Sequence, residues 1–166
     1  MGCPYGFFTM IGVTNQFIDS NSLRGKFGIG PKIKNTKCFF DISVDKQIIG
    51  RVVFELDDNE MPTCAENFRT LCTGEKETKL GQKLHYKGSS LFSLYPKEGI
   101  ICGGDFINNN GTGGINVFGR QMKNVKRKRG FDRPGTLAML HWGPEANSSQ
   151  FFISLNKLEE DAFPTN

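Results

Sequence analysis

The feature that most constrains the fold is a strand-turn-strand pattern in the first half of the chain. Phe40, Ile42 and Val44 alternate with more polar neighbours and so share one face of a strand. Asp45-Lys46 is typical of a tight turn, and the run Ile48–Leu56 that follows is rich in β-branched residues. The pattern predicts an antiparallel hairpin with one buried face.

One short helix is predicted after the hairpin. Pro62 suits a first helical position, and Ala65, Phe68, Leu71 and Cys72 then follow with helical spacing. The helix is expected to run to about Cys72 and to bury that apolar face.

The rest of the chain consists of short apolar pieces separated by glycine-rich turns, with no second helical pattern. Short strands at this spacing are typical of an antiparallel barrel or sandwich and not of a parallel sheet with crossover helices. The predicted strands are Ser90–Tyr95, Ile100–Cys102, Asn116–Phe118, Gly135–Leu140 and Gln150–Leu155.

Composition places the chain among single-domain globular proteins. Its 166 residues are 37% hydrophobic and include 15 phenylalanines, which excludes disorder of the whole chain. No apolar run is long enough to span a membrane, and the apolar stretch near the N-terminus lacks the basic flank of a signal peptide. A soluble, cytoplasmic monomer is expected, with the nucleus as an alternative location.

The cysteines indicate neither disulfides nor a metal cluster. There are five of them, an odd number, and no pair has the C-x-x-C spacing. Reduced thiols are expected, and no metal or cofactor is predicted. A thiol nucleophile formed by Cys102 with His85 or His141 is a weak alternative, because no local signature accompanies it.

The net charge of +4 is mild, but one segment is strongly basic. In Lys123–Arg129 five of seven residues are basic. Such a run most often marks a solvated loop, and it is also compatible with a nuclear address or with contacts to nucleic-acid phosphates.

Residues 1–36 differ from the remainder because glycine, asparagine, serine and proline interrupt every apolar piece. They are predicted to form a flexible N-terminal extension, with the folded domain spanning residues 37–166.

A series of motifs in order and at matching spacing resembles the cyclophilins. The resemblance extends over about 120 residues, from Cys38 to Lys157. Its segments are Phe39-Phe40-Asp41-Ile42, Gly50-Arg51-Val52, Phe54-Glu55-Leu56, Ala65-Glu66-Asn67-Phe68-Arg69, Leu71-Cys72-Thr73-Gly74-Glu75-Lys76, Tyr86-Lys87-Gly88-Ser89, Gly103-Gly104-Asp105-Phe106, Asn110-Gly111-Thr112-Gly113-Gly114 and Ser149-Gln150-Phe151-Phe152-Ile153.

The resemblance implies a mainly β fold: a cyclophilin-like antiparallel β-barrel with one clear helix, incomplete at its C-terminal end. It also implies peptidyl-prolyl cis-trans isomerisation in protein folding, with proline-containing peptides as partners. The reaction rotates the Xaa-Pro bond, whose uncatalysed isomerisation takes tens to hundreds of seconds. It needs an apolar pocket for the proline ring and a hydrogen-bond donor aimed at the imide nitrogen.

Carried over position by position, the resemblance places the peptide-binding residues unevenly. Phe152 stands for the pocket floor, Ile100 for a pocket methionine, and Gln150 for the glutamine that orients the peptide. The remaining residues expected along the groove are Gly111, Leu140 and His141.

Several departures from the family pattern weaken the expected enzyme. Leu94 stands where the family has its catalytic arginine, so no catalytic residue is assigned, and substitution of Leu94 by arginine is expected to restore activity. Gly99 and Cys102 replace a phenylalanine and a glutamine of the pocket. Other walls change at His141, Trp142, Glu160, Asp161 and Thr165, and the basic residues Lys126, Arg127, Lys128 and Arg129 replace an acidic stretch.

The resemblance further implies that the chain lacks the family's closing strand and second helix, since it stops at Asn166. The strand Cys38–Val44 would then have an open edge, which residues 6–33 are expected to cover. The chain is therefore predicted to be a family member with weak or lost catalysis and weakened binding of cyclosporin-type ligands. A non-catalytic peptide-binding or scaffold module and a non-functional truncated gene copy are the alternatives.

Overall fold

The computed structural model describes residues 8–12, 35–119, 122, 130–141 and 147–158. They form a mainly β protein with one helix, in which two antiparallel sheets are not closed into a barrel. None of the described helices is long and apolar enough to cross a membrane.

The first sheet is built around the hairpin predicted from the sequence. Strands β1 (Phe8–Gly12), β2 (Lys37–Val44), β3 (Gln47–Glu55) and β4 (Ser90–Leu91) lie in the order β3-β2-β1-β4. Asp45 and Lys46 both have positive φ, at 47° and 68°, as the two central residues of a type I′ hairpin turn require.

Strand β1 comes from the region assigned to the flexible extension. It pairs antiparallel with β2, with Phe8 opposite Val44 and Met10 opposite Ile42. This pairing agrees with the expectation that residues 6–33 cover the edge of Cys38–Val44, and β2 is paired on both sides. The outer strand of the sheet is β3 instead, because the sheet ends there.

Helix α1 (Pro62–Thr73) confirms the predicted helix, and Pro62 lies in its first turn. Its buried face packs against both sheets. Asn67 fixes the docking because its side chain donates to the backbone oxygen of Ser148 and accepts from the backbone NH of Val117.

The second sheet contains β5 (Ser93–Tyr95), β6 (Ile100–Gly103), β7 (Leu137–His141) and β8 (Asn147–Ser154), in the order β5-β6-β8-β7. Four of the predicted strands are thus present, and the first is divided at Phe92 into β4 and β5. The predicted strand Asn116–Phe118 is wrong. Side-chain amides take its backbone donors, since Val117 NH bonds Asn67 and Phe118 NH bonds the Asn116 side chain.

The main core lies between the two sheets and α1, and its centre is aromatic. Five buried rings contact one another with centroid separations of 4.8–5.8 Å, mostly edge-to-face or tilted. They are Phe40, Phe54, Phe68, Tyr86 and Phe151. The Tyr86 hydroxyl donates to the backbone oxygen of Ser149, so its burial leaves no polar group unpaired.

Candidate functional site

The second sheet carries apolar side chains on both of its faces. In β8, Phe151 belongs to the main core, whereas the next residue, Phe152, belongs to a second apolar group on the opposite face. We call this second group the outer cluster. Its buried members are Ile100, Cys102, Phe131, Phe152 and Leu158, with Phe92, Ala138 and Leu140 partly buried against them.

The sheet ladder explains how residues distant in sequence meet in the outer cluster. Cys102 pairs with Phe152, and Phe152 pairs on its other side with Ala138. Directly opposed residues of antiparallel strands point to the same face. The three side chains therefore form one row across β6, β8 and β7.

Three of the predicted peptide-binding residues are brought together in this cluster. Ile100 and Phe152 are each 4% exposed, and Leu140 is half-buried against them. His141 is the last residue of β7, where it pairs with Asn147. An apolar surface made of an aromatic ring and branched aliphatic side chains can hold a proline ring.

Gln150 and Gly111 are joined to each other directly. The side-chain nitrogen of Gln150 donates to the backbone oxygens of Gly111, at 2.9 Å, and Gly113. Gln150 thereby ties β8 to the loop of residues 105–113, which lies beside the outer cluster. Gly111 has a φ of 89°, and a β-carbon there would lie 2.8 Å from the Phe92 ring, so glycine allows that ring to pack against the loop.

Asp105 holds the 105–113 loop from within. Its fully buried carboxylate accepts hydrogen bonds from five backbone NH groups, those of Ile107, Asn108, Asn110, Gly111 and Gly113. Burial alone would raise the pKa of this carboxyl group, but the amide donors outweigh it and the pKa is lowered.

From the sequence, Asp105 is identified only as part of the Gly103-Gly104-Asp105-Phe106 motif, and the role of its carboxylate in organising the loop is not predicted. The signal that could have found it is an aspartate followed within ten residues by asparagines and glycines, because short side-chain acceptors commonly organise such loops.

The pairing of β5 with β6 shows which β5 residue lies on the same face as the outer cluster, where the family's catalytic arginine would be expected. Leu94 pairs with Ile101, whereas Ser93 pairs with Cys102. Ser93 is therefore the β5 residue that extends the row of Cys102 and Phe152, and Leu94 is one residue out of step with it. Neither a leucine nor a serine side chain offers a charged donor.

Gly99 occupies a turn whose positive φ favours glycine. Its φ is 67°, and a β-carbon there would lie 3.0 Å from the side-chain nitrogen of Asn156. A phenylalanine here would adopt a positive φ that L side chains disfavour, so the turn suits the glycine that stands in place of the family's phenylalanine.

The thiol chemistry weighed as an alternative has little support. Burial raises the pKa of the Cys102 thiol to about 11, so the thiol is protonated at neutral pH and is a poor nucleophile. His85 bonds the backbone oxygen of Cys72, and burial lowers its pKa. Within the described ranges, no three of the His, Cys, Asp and Glu side chains are grouped to hold a metal ion.

Other predicted residues lie outside the described part of the chain. They are Trp142, Glu160, Asp161, Thr165 and the basic residues Lys126, Arg127, Lys128 and Arg129.

Comparison with family models gives a match that begins in β2 and includes β3, α1, the second sheet and the whole outer cluster, but not β1. The model of the cyclophilin type peptidyl-prolyl cis-trans isomerase/CLD family matches residues 39–161, about three quarters of the sequence.

Proposed function

The chain belongs to the cyclophilin-type peptidyl-prolyl cis-trans isomerase family, and from this membership we propose that its outer cluster binds Xaa-Pro segments with weak or lost catalysis. Binding of proline-containing peptides is common to the family. The observation that supports the proposal is the grouping of Phe152, Ile100 and Leu140 on one face of the second sheet.

Binding requires only that an apolar ring be removed from water against a complementary surface. In the outer cluster the Phe152 ring packs with the branched side chains of Ile100 and Leu140, which are the groups that a proline ring would contact on reaching this site. Burial of apolar area contributes about 25 cal/mol per Å², so a proline ring and its neighbours gain a few kcal/mol at such a site. A cyclosporin-type macrocycle is expected to use the same surface more weakly than in the family at large.

Catalysis requires more than binding, because the barrier to rotation about a peptide bond is roughly 18–20 kcal/mol. A donor to the imide nitrogen lowers this barrier by drawing the lone pair out of conjugation. Removal of a preorganised donor from other enzymes costs a factor of about 10²–10³ in rate. With leucine at position 94 and serine at position 93, the chain lacks the guanidinium that supplies this donor.

A second function, a non-catalytic binding module that also contacts an anionic partner, follows from the basic run Lys126–Arg129. Salt-dependent retention on RNA or on an anionic resin is the result expected of that function. A role in protein folding and a cytoplasmic location also belong to this proposal, as does the monomeric state.

The test is NMR exchange spectroscopy on a short Xaa-Pro peptide with the purified full chain. We expect the peptide resonances to shift on binding while the cis-trans exchange rate stays near its uncatalysed value. Dispersed amide resonances of the protein in the same sample establish that it is folded, and collapsed resonances would instead favour the non-functional gene copy.

Two variants locate the binding surface. Phe152→Ala is expected to abolish the peptide shifts, and Phe39→Ala, which removes a partly buried ring from β2, is expected to retain them. Rapid exchange with the native chain would contradict weak catalysis, and an absence of shifts would contradict the binding site.

A further inference from the structure

The outer cluster is covered by side chains from outside the sheet. Phe131 precedes β7 and Leu158 follows β8, yet both are buried together with Phe152. The Phe131 and Phe152 rings are tilted against each other with their centroids 5.2 Å apart. The surface that would receive a proline ring is therefore already in contact with a ring of this chain.

The two covering residues are held to each other by a backbone hydrogen bond. The NH of Leu158 donates to the backbone oxygen of Phe131 at 2.8 Å. A few residues further on, the segment is attached to β8, since Gly135 NH bonds the backbone oxygen of Ser154 and Thr136 NH bonds its hydroxyl. Between these two attachments, residues 132–134 are exposed, and the backbone oxygen of Arg133 accepts from the hydroxyls of Thr136 and Ser154.

The two ends of the segment of residues 131–136 are held by different contacts. At the Thr136 end, backbone groups of Gly135 and Thr136 bond Ser154 of β8, whereas the Phe131 end bonds Leu158 through its backbone oxygen and packs its ring against Phe152. Local opening of such a segment costs less than unfolding of the sheet, because few backbone hydrogen bonds must break.

We propose that Phe131 occupies the proline-ring position of the outer cluster, so that an Xaa-Pro peptide binds only when Phe131 is displaced. The identity of this ligand rests on the function proposed above, but the covering role of Phe131 does not. A site that is open only part of the time has an apparent dissociation constant raised by the reciprocal of its open fraction. Under this proposal Phe131 lowers the apparent affinity of the site for the peptide.

Cys102 provides a reporter of this cover that needs no peptide. It lies in the row of Phe152 and is buried in the outer cluster, and burial raises its pKa. Cys72 is buried in the main core and reports on opening of the whole fold in the same sample.

The experiment measures iodoacetamide labelling of each cysteine by peptide mass spectrometry in the native chain, Phe131→Ala and Phe131→Leu. We expect Phe131→Ala to accelerate labelling of Cys102 roughly tenfold or more while labelling of Cys72 is unchanged. Phe131→Leu keeps an apolar side chain over the site and should label Cys102 at close to the native rate. Phe39→Ala, which removes a ring from the first sheet, is the matched control and should leave Cys102 unchanged.

Two outcomes would contradict the proposal that Phe131 covers the outer cluster. Labelling of Cys102 that is unaffected by Phe131→Ala would show that the ring does not shield the site. Labelling of Cys102 and Cys72 that rises in parallel would show that Phe131 supports the whole fold and not one surface.

Repeating the labelling experiment with an Xaa-Pro peptide tests the cover by Phe131 separately from the proposed peptide binding. We expect an Xaa-Pro peptide to slow Cys102 labelling in Phe131→Ala at a concentration roughly tenfold lower than in the native chain. Equal concentrations for both proteins would overturn the competition between ring and peptide. If the variant exposes Cys102 and the peptide protects neither protein, the cover stands and the proposed function fails.

Discussion

At the scale of single residues, the Asp105 carboxylate holds the 105–113 loop beside the candidate site although it does not belong to the outer cluster. Asp105 is buried and accepts five backbone amides of the loop that Gln150 also binds. A hydrogen bond to a charged group contributes more than one between neutral groups, and a buried amide without its acceptor is costly. The loop beside the outer cluster is therefore held in large part by hydrogen bonds to one buried charge.

Asp105→Asn is expected to lower the free energy of unfolding by about 3 kcal/mol, because the amide group is a weaker acceptor and brings donors of its own. Urea denaturation at neutral pH measures this change. Asp132→Asn, at an exposed position, is the control and should lie within about 0.5 kcal/mol of the native chain.

The same comparison gives a pH dependence with a definite sign. The pKa of Asp105 is lowered in the folded chain, so its stabilisation is fully present above the unfolded pKa of about 4 and is lost as the pH falls through the folded pKa. The native chain and Asp105→Asn should therefore converge in stability under acid. A difference that persists undiminished at acid pH would contradict the role given to the carboxylate.

At the scale of elements, the sequence was most informative where one periodicity decides the structure. The hairpin β2–β3 and helix α1 follow from alternation and from helical spacing, and both are confirmed. Asn116–Phe118 failed as a strand because the amides of Asn67 and Asn116 take its donors, and alternation contains no information about such side-chain contacts.

The candidate site was predictable in part, since the sequence named some of its residues but not those that join it through tertiary packing. Resemblance named Ile100, Leu140 and Phe152, which the outer cluster unites. It did not reveal Phe131 and Leu158, which lie outside the strands and join the cluster through tertiary packing, or the register of Ser93, which depends on the pairing of β5 with β6.

Lys46→Gly is expected to stabilise the hairpin by about 1 kcal/mol, since lysine pays a steric cost at φ 68° that glycine avoids. Thermal or urea unfolding measures the gain. Lys37→Gly at the first residue of β2 is the matched control and should not stabilise, because no positive φ is relieved there and glycine only adds a larger loss of backbone entropy. A loss of stability at position 46 would contradict the assigned turn.

The register of β5 predicts which position can carry a restored donor. Ser93→Arg is expected to accelerate cis-trans exchange of a bound Xaa-Pro peptide on the order of 10-fold or more, because position 93 extends the row of Cys102 and Phe152. Leu94→Arg, the substitution that resemblance favours, should have the smaller effect.

Ser93→Lys is the control for charge alone, since an ammonium lacks the planar donor fork of a guanidinium. NMR exchange spectroscopy compares the three variants at equal occupancy of the peptide. A larger acceleration from Leu94→Arg would refute the register as the guide to the donor position.

At the scale of the whole molecule, the exposed edge of the first sheet is the main liability. Strand β3 is nine residues long, ends its sheet, and exposes Ile48, Ile49, Val52 and Val53. In the part of the chain that the structure describes, no strand pairs with its outer edge. Long apolar edge strands of this kind promote association between chains.

Val53→Lys is expected to reduce self-association at high concentration without a loss of stability, because Val53 is 59% exposed and a charge at an edge opposes strand pairing. Light scattering and sedimentation measure association. Leu80→Lys makes the same change at a loop residue that is 96% exposed and should leave association as it is in the native chain. If both variants reduced self-association equally, the reduction would be due to net charge and not to the exposed edge of β3.

Strand β8 places Phe151 in the main core and Phe152 in the outer cluster, on successive residues. Insertion or deletion of one residue before this pair would exchange the two faces, taking the core ring out of the core and the site ring out of the site together. Loops around this site can therefore change in length without exchanging the two faces, whereas β8 can change only by residue substitution and not by insertion or deletion. A change of ligand must come from neighbouring side chains, while the two phenylalanines keep their places.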